Sequence, residues 1–331
     1  MSASRRLRGP LLLLLALHLP VLAAGWLAPY PPEAQYRELI WAPPVRPHLV
    51  DAEGAFHPWP FVYALRDHPE RFGQYVEDES RRYPLRLLVR DEAGALRLLG
   101  VDAPARLALL GTDGLGRDVL ARLLHGGRVS LFAGLLAATL SSLVGLVLGS
   151  VAGYRGGAAD AALMRLSELF LALPWLYLLL AVRAFLPLDA SPVGTFLVLV
   201  LVIGLVDWAR PARLVRGVAL SARERDFVRA ARGFGASDRY LIRHHVAPLA
   251  LPVLLTRASL AVPQYVLAEV TLSFVGLGIA EPAASWGGLL ASLQEYHVLV
   301  SCGWMWSPAL ALVAVVSAYY WLADRLQHAL G

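Results

Sequence analysis

The sequence contains no lysine; all 30 of its basic side chains are arginine. A phosphate-binding loop of the Gly-x-x-x-x-Gly-Lys-[Ser/Thr] type needs a lysine ammonium on the phosphates, so the chain does not power itself through a Walker site. The same absence excludes a Schiff base and a lysine general base. A single cysteine, Cys302, excludes an internal disulfide and any Cys-x-x-Cys metal or redox pair. None of the 9 histidines falls in His-Glu-x-x-His, and the adjacent His244 and His245 point to different faces of a helix. The net charge of +5 lies beside apolar runs instead of forming a basic stripe interleaved with aromatics, which argues against nucleic acid as a partner.

Apolar sequence is what the chain has in quantity. Its 331 residues are 57% hydrophobic with a mean hydropathy of +0.54, the composition of a polytopic membrane protein. Runs near the roughly 20 residues that cross a bilayer occur at 10–28, 130–154, 163–186, 193–208, 249–277 and 305–323. The first resembles a signal peptide in its basic start and Ala23-Ala24-Gly25 end. The topology reads better if it is an uncleaved span. Residues 29–128 differ in kind: acidic and Arg side chains nearly balance, and 83–90 and 95–99 read as strands. The segment 119–124 reads as an amphipathic helix with Asp118 and Arg122 paired on its polar face.

An even number of crossings puts both termini and the basic segment 209–245 on one side. Arg5, Arg6, Arg8, Arg155, the cluster 210–243 and Arg325 share that side, which the positive-inside rule makes cytoplasmic. Within the segment, 223–234 is helical in composition and Gly235 permits a turn. Ser237 is suited to cap a second short helix, whose positive end Asp238 complements. Pro248 ends that helix or begins the next span. Small Ala230, Ala231 and Ala236 allow close approach of another protein. Alternatives are a basic loop on anionic lipid and a DNA-binding helix-turn-helix, which the flanking spans obstruct.

The layout of RAARGFGASDRYLIRHHVAP (229–248), Ala-Ala-x-x-x-Gly followed nine residues later by x-x-x-Pro, resembles the EAA coupling loop of ABC importer permeases. LGTDGLGRDVLARLL (110–124) resembles the segment preceding the second span of dipeptide and oligopeptide permeases. LSFVGLG (272–278), Pro282 and Ser-Trp-Gly (285–287) resemble the segment following their fifth span. Together the three motifs cover most of 105–325 and resemble the second permease type of the peptide/nickel importer group. The resemblance implies an all-α membrane protein of six transmembrane helices of the type I ABC importer permease kind, in a bacterial inner membrane. It places a cytoplasmic N-terminus and first helix at 1–28, an extracytoplasmic insertion at 29–128 and the permease core at 129–331, with its coupling loop at 209–248. Implied partners are a second permease subunit, two ABC ATPase subunits and an extracytoplasmic solute-binding protein. ATP and Mg belong to the ATPases, and this chain binds no cofactor and catalyses no covalent step. ATPase coupling falls to Arg229, Ala230, Ala231, Gly235, Ala236, Ser237, Asp238, His245 and Pro248. Two departures matter: the family's usual Glu is Arg229 and its usual Leu is Ala247, so no carboxylate contact carries over at 229.

The glycines of 111–127 lack the Gly-x-Gly-x-x-Gly pattern and serve as turns, and Asp113 with Asp118 supplies too few ligands for calcium. Inside the fifth span, Glu269 is an ionisable group of the kind that faces a bundle interior or a watery path. Ser273 shares its face and Gln264 and Thr271 form a neighbouring stripe. Gln264, Glu269 and Ser273 make a candidate translocation path, the alternative being that Glu269 pairs with an Arg of a neighbouring subunit for structural reasons. Arg257 is expected to snorkel to the cytoplasmic interface and Arg183 to the opposite one. Other classes remain open: a membrane-embedded enzyme, for which no nucleophile or metal constellation is visible, or a membrane scaffold carrying the 29–128 module.

Overall fold

The computed structural model describes residues 3–330 apart from 69, 71, 72, 92, 93 and 186–190; the side chains of Arg5, Arg6 and Arg183 also lie outside the described residues. Helix α1 (Ala3–Leu22) and the single turn α2 (Ala24–Leu27) lead into strands β1 (His48–Val50), β2 (Phe56–Asp67), β3 (Tyr75–Pro84), β4 (Arg86–Arg90) and β5 (Leu96–Gly100). Helices α3 (Val119–Arg155), α4 (Gly157–Ala172), α5 (Trp175–Phe185) and α6 (Pro192–Val206) follow, then α7 (Ala209–Arg223), α8 (Asp226–Gly233) and α9 (Asp238–Leu241). A π-helical turn, Ile242–Val246, joins α9 to α10 (Ala247–Phe274); α11 (Trp286–Ala291), α12 (Tyr296–Ser301) and α13 (Ser307–Leu330) complete the chain.

Among the described residues, four helices are long and apolar enough to cross a membrane, Val119–Arg155, Pro192–Arg223, Asp238–Phe274 and Gly303–Ala329, where six spans were expected. The shortfall has two local causes. The apolar part of α1 is only Leu7–Leu22, because the chain breaks at Ala23 into the turn of α2. The run 163–186 is divided at Leu173, whose backbone is extended (φ −68, ψ 126): Pro174 disfavours helical geometry in the residue before it. The end of that run, Leu186, lies outside the described residues.

The chain divides into two compact units, one built on Leu131–Glu269 with the ends of the chain, the other on Ala16–Ser130 and Val270–Val313. In the first unit a stripe of glycine sets the packing of α3. A Cβ on Gly145, Gly149 or Gly153 would lie 2.7 Å from Pro211 Cβ, 2.3 Å from the Ala212 carbonyl oxygen and 2.5 Å from the Arg216 carbonyl oxygen. Residues four apart share a helix face, so these three let the α7 backbone come against α3. Close van der Waals packing through small residues is the main attraction between helices in lipid.

The second unit contains the antiparallel sheet β1-β2-β3 and the hairpin β4-β5. Val45, Val62, Tyr83, Leu85 and Leu107 belong to one of its core clusters. The expected amphipathic helix 119–124 is continuous with the following span in α3, and its charges are buried. Arg122 is 1% exposed and pairs with Asp113 (3.4 Å) and Glu281 (3.0 Å), not with Asp118 one turn away. Arg117 donates to Asp113 at 2.8 Å and Glu281 at 2.6 Å. Gly116, at φ +71, performs the turn duty expected of these glycines: a Cβ there would be 1.9 Å from the Tyr36 carbonyl oxygen. Asp118 caps α3 by accepting the Ala121 N–H at 2.9 Å. Burial raises its carboxyl to about 7, against the lowering by that backbone bond.

Candidate functional site: the 226–248 loop and the α10 face

The segment 226–248 is a helix-turn-helix whose turn is closed by its own backbone. Gly235 N–H donates to Arg232 C=O (2.9 Å) and Ala236 N–H to Ala231 C=O (3.1 Å), the paired bonds of a Schellman motif. Gly235 sits at φ +86 with nothing within 4 Å of where a Cβ would be, so its backbone conformation, not crowding, calls for glycine. Ser237 accepts the Tyr240 N–H at 3.3 Å and caps α9, a bond worth about 1 kcal/mol. Asp238 lies 3.6 Å from Arg232 and 3.9 Å from Arg155, and the Arg232 guanidinium stands 5.2 Å over the Tyr154 ring.

The three alanines have different duties. Ala231 and Ala236 pack inward on the cluster of Tyr154, Val228, Leu241 and Val246. Ala230 stays exposed beside Arg229 and Gly235. The same surface carries Phe234 at 93% exposure, a side chain the sequence reading passed over. Its signal was present: an aromatic between two glycines in a charged segment has nothing local to pack on. His245 is half-buried, its ring 5.6 Å from Phe227; His244 stacks on Tyr240 at 4.3 Å.

Of the two duties expected of Pro248, ending α9 or beginning the next span, the structure shows the second. It lies one residue into α10, directly after the π turn. A proline offers no N–H to the carbonyl four residues back and its ring crowds that carbonyl. A wider turn at that point relieves both problems, so α9 runs through it into a helix spanning Asp238–Phe274. This helix-turn-helix is joined directly to helices long and apolar enough to cross a membrane.

Residues 145–331 match the family described as binding-protein-dependent transport system inner membrane component. The chain belongs to this family. It is the transmembrane permease component of an ABC importer. Among its relatives, the dipeptide transport system permease protein DppC of Bacillus subtilis is 38% identical over 217 residues, covering 65% of this chain and 66% of that protein. The oligopeptide transport system permease protein OppC of Haemophilus influenzae is 36% identical over 216 residues, covering 65% of this chain and 67% of that one. Among solved structures, the MetNI methionine ABC transporter in inward-facing conformations aligns with TM-score 0.47 and 20% identity, over 63% of this chain and 96% of that chain.

The residues suggested for a path through the permease fall on two faces of α10. Gln264 is exposed, on a stripe with Leu267 and Thr271. Glu269 is fully buried and Ser273 is 5% exposed. Gly278 and Gly287 make room for Ser273: a Cβ on either would lie 1.9 Å from its Oγ or 2.5 Å from its Cβ. The motifs at 272–278 and 285–287 are therefore packed onto one another through this serine.

Arg257, expected to reach the cytoplasmic interface, is held by a carboxylate at the end of α6. It donates to Asp207 at 3.1 Å, and Arg210 and the Tyr265 hydroxyl reach the same carboxylate. The sequence reading missed Asp207, which ends the apolar run of α6. A carboxylate there, with an arginine in the next span, was the available signal. Nearby in the same unit, Arg216 donates to both oxygens of Asp160 at 2.5 and 2.7 Å. Those bonds hold the Asp160 carboxyl below the usual range. Among the described residues, no group of three or more His, Cys, Asp or Glu is placed to hold a metal.

Proposed function

We propose that this permease forms half of the pore of an ATP-driven peptide importer in the cytoplasmic membrane. A second permease subunit completes the pore, two ABC ATPases bind beneath it, and an extracytoplasmic binding protein delivers the cargo. In this reading α1 and the pair α4–α5 add two crossings to the four long helices. The apolar 16 residues of α1 extend about 24 Å, a modest mismatch that local bilayer thinning accommodates. Both termini and α7–α9 then face the cytoplasm, in keeping with the arginines, and residues 29–128 lie outside. Peptide cargo is supported by the names of the dipeptide and oligopeptide relatives.

The observation that carries the coupling assignment is the preformed turn after α8, with Phe234 93% exposed at its tip and Ala231 and Ala236 packed behind it. An ordered loop that leaves a large aromatic in water is built to place it in a partner's pocket. The groove of one of the two ATPases receives this element, and the ATPases themselves hold ATP and Mg. Closure of the ATPases on ATP moves the loop, α10 moves with it, and the pore opens toward the docked binding protein. Hydrolysis then resets the pore. Gln264 is assigned to the path or to the second permease, because an exposed amide on a membrane helix is costly against lipid. Buried Glu269 and Ser273 support that face from within.

The test is co-purification of the cognate ATPase with wild type and with Gly235→Trp, membrane insertion being the control. Retention by wild type and loss by the variant is expected. Equal retention by both places the ATPase contact elsewhere and removes the assignment.

A further inference from the structure

The hairpin β4-β5 pairs Leu87 with Leu99 and Val89 with Arg97. Two strands alone are marginal in water, and this pair is fastened to the end of the first helix. Arg97, 8% exposed, donates Nη1 to the Gly25 carbonyl at 2.9 Å and Nε and Nη2 to Asp91 at 2.9 and 2.8 Å. Gly25 belongs to α2, directly after α1. On the same helix end, Arg128 of the membrane-crossing helix α3 donates to the carbonyls of Val21 (2.9 Å) and Leu22 (2.6 Å). The hairpin is thereby held where an apolar helix stops.

Its open surface is apolar and basic. Leu87, Leu88 and Leu96 are 54%, 57% and 45% exposed. Neighbours on a regular strand point to opposite faces; here Leu88 has φ +54, which breaks that alternation, and both leucines stay outside. Arg86, 2.6 Å from Asp102, and Arg90 are exposed beside them, and Trp26 at the helix end is 42% exposed. Leucines for acyl chains, arginines for phosphates and a tryptophan at headgroup depth are the chemistry of an interfacial anchor.

We propose that the β4-β5 hairpin lies on the bilayer surface at the end of α1, with Leu87, Leu88 and Leu96 immersed in lipid and Arg86 and Arg90 at the phosphates. Continuity with α1 and α3 favours lipid over a protein as the occupant. The choice of the outer leaflet rests on the topology proposed above. The anchor would hold the 29–128 module close to the membrane.

The test uses the full chain carrying Cys302→Ser, reconstituted in vesicles of phosphatidylethanolamine and phosphatidylglycerol. A nitroxide is placed in turn at Leu88→Cys, Leu96→Cys and, as an aqueous reference, Ser80→Cys on exposed β3. At the two leucine sites the ratio of collision with oxygen to collision with a water-soluble nickel chelate is expected to exceed that at Ser80 by roughly fivefold. Ratios equal to the reference at both sites overturn the proposal. Shielding from both reagents that disappears when partner subunits are omitted also overturns it, assigning the surface to a protein. Failure of a membrane-impermeant thiol reagent to label Ser80→Cys in intact cells would refute the topology alone, leaving the measured depth to decide lipid contact.

Discussion

Phe234→Ala separates docking from folding, because the ring is 93% exposed and the turn that presents it is closed by backbone bonds from Gly235 and Ala236. Removing the ring should change the permease's own stability by no more than about 0.5 kcal/mol. Burying it in a partner's pocket is worth about 1.5–3 kcal/mol, so affinity for the ATPase should fall roughly 10- to 150-fold. The assay is titration of the cognate ATPase onto permease in nanodiscs, with the thermal midpoint of each variant as the folding control. Phe234→Leu should recover most of the affinity, since the pocket is read as apolar. An alanine variant binding within about twofold of wild type would refute the reasoning: a desolvated aromatic cannot be removed at so little cost.

Other expectations follow from particular contacts. Gly149→Ala should lower the thermal midpoint by an amount corresponding to about 1–3 kcal/mol, because the new methyl would lie 2.3 Å from the Ala212 carbonyl oxygen. Gly217→Ala on the same α7 contact partner has nothing within 4 Å and should be neutral or stabilising by about 0.5–1 kcal/mol; equal losses in the two would sink the packing account. Asp118 has a folded pKa of about 7 against an ordinary 3.8. The folded state thus keeps a proton that the unfolded chain releases, and stability from this group is lost as pH rises between those values. The thermal midpoint should decline from about pH 5 to pH 7.5 in wild type and less steeply in Asp118→Asn. Gln264→Leu should leave the midpoint of the isolated permease within about 1–2 °C but reduce peptide uptake in vesicles; full uptake would take Gln264 out of the path and the subunit contact.

Much of the helix-turn-helix at 226–248 could be read from residue types. Gly235 marked a turn and Ser237 a cap because few other residues serve there; both occur, the turn with Gly235 in the left-handed region. Phe234 was not found, since exposure depends on what else packs nearby. Pro248 was open between ending α9 and beginning the next span; it begins the span, and the π turn before it, which accommodates the missing N–H, is a local adjustment that residue type alone does not announce. The candidate path divided for a similar reason: Gln264, Glu269 and Ser273 are all polar, but helical position alone does not say which stripe faces neighbours of the same chain.

Composition and order determined the class of this protein. A lysine-free, apolar chain with arginine grouped beside its spans carries no Walker site and orients in a membrane, since those inferences depend on residue chemistry summed along the sequence. Ordered motifs carried the resemblance to an importer permease. Tertiary structure decided which groups meet: Arg257 with Asp207, Arg122 with Glu281, and the glycines of α3 with the α7 backbone. Those partners are 50, 159 and roughly 60 residues apart. Packing, not spacing along the chain, selects them, because a buried charge or a close backbone approach is stable only where the rest of the fold supplies its counterpart.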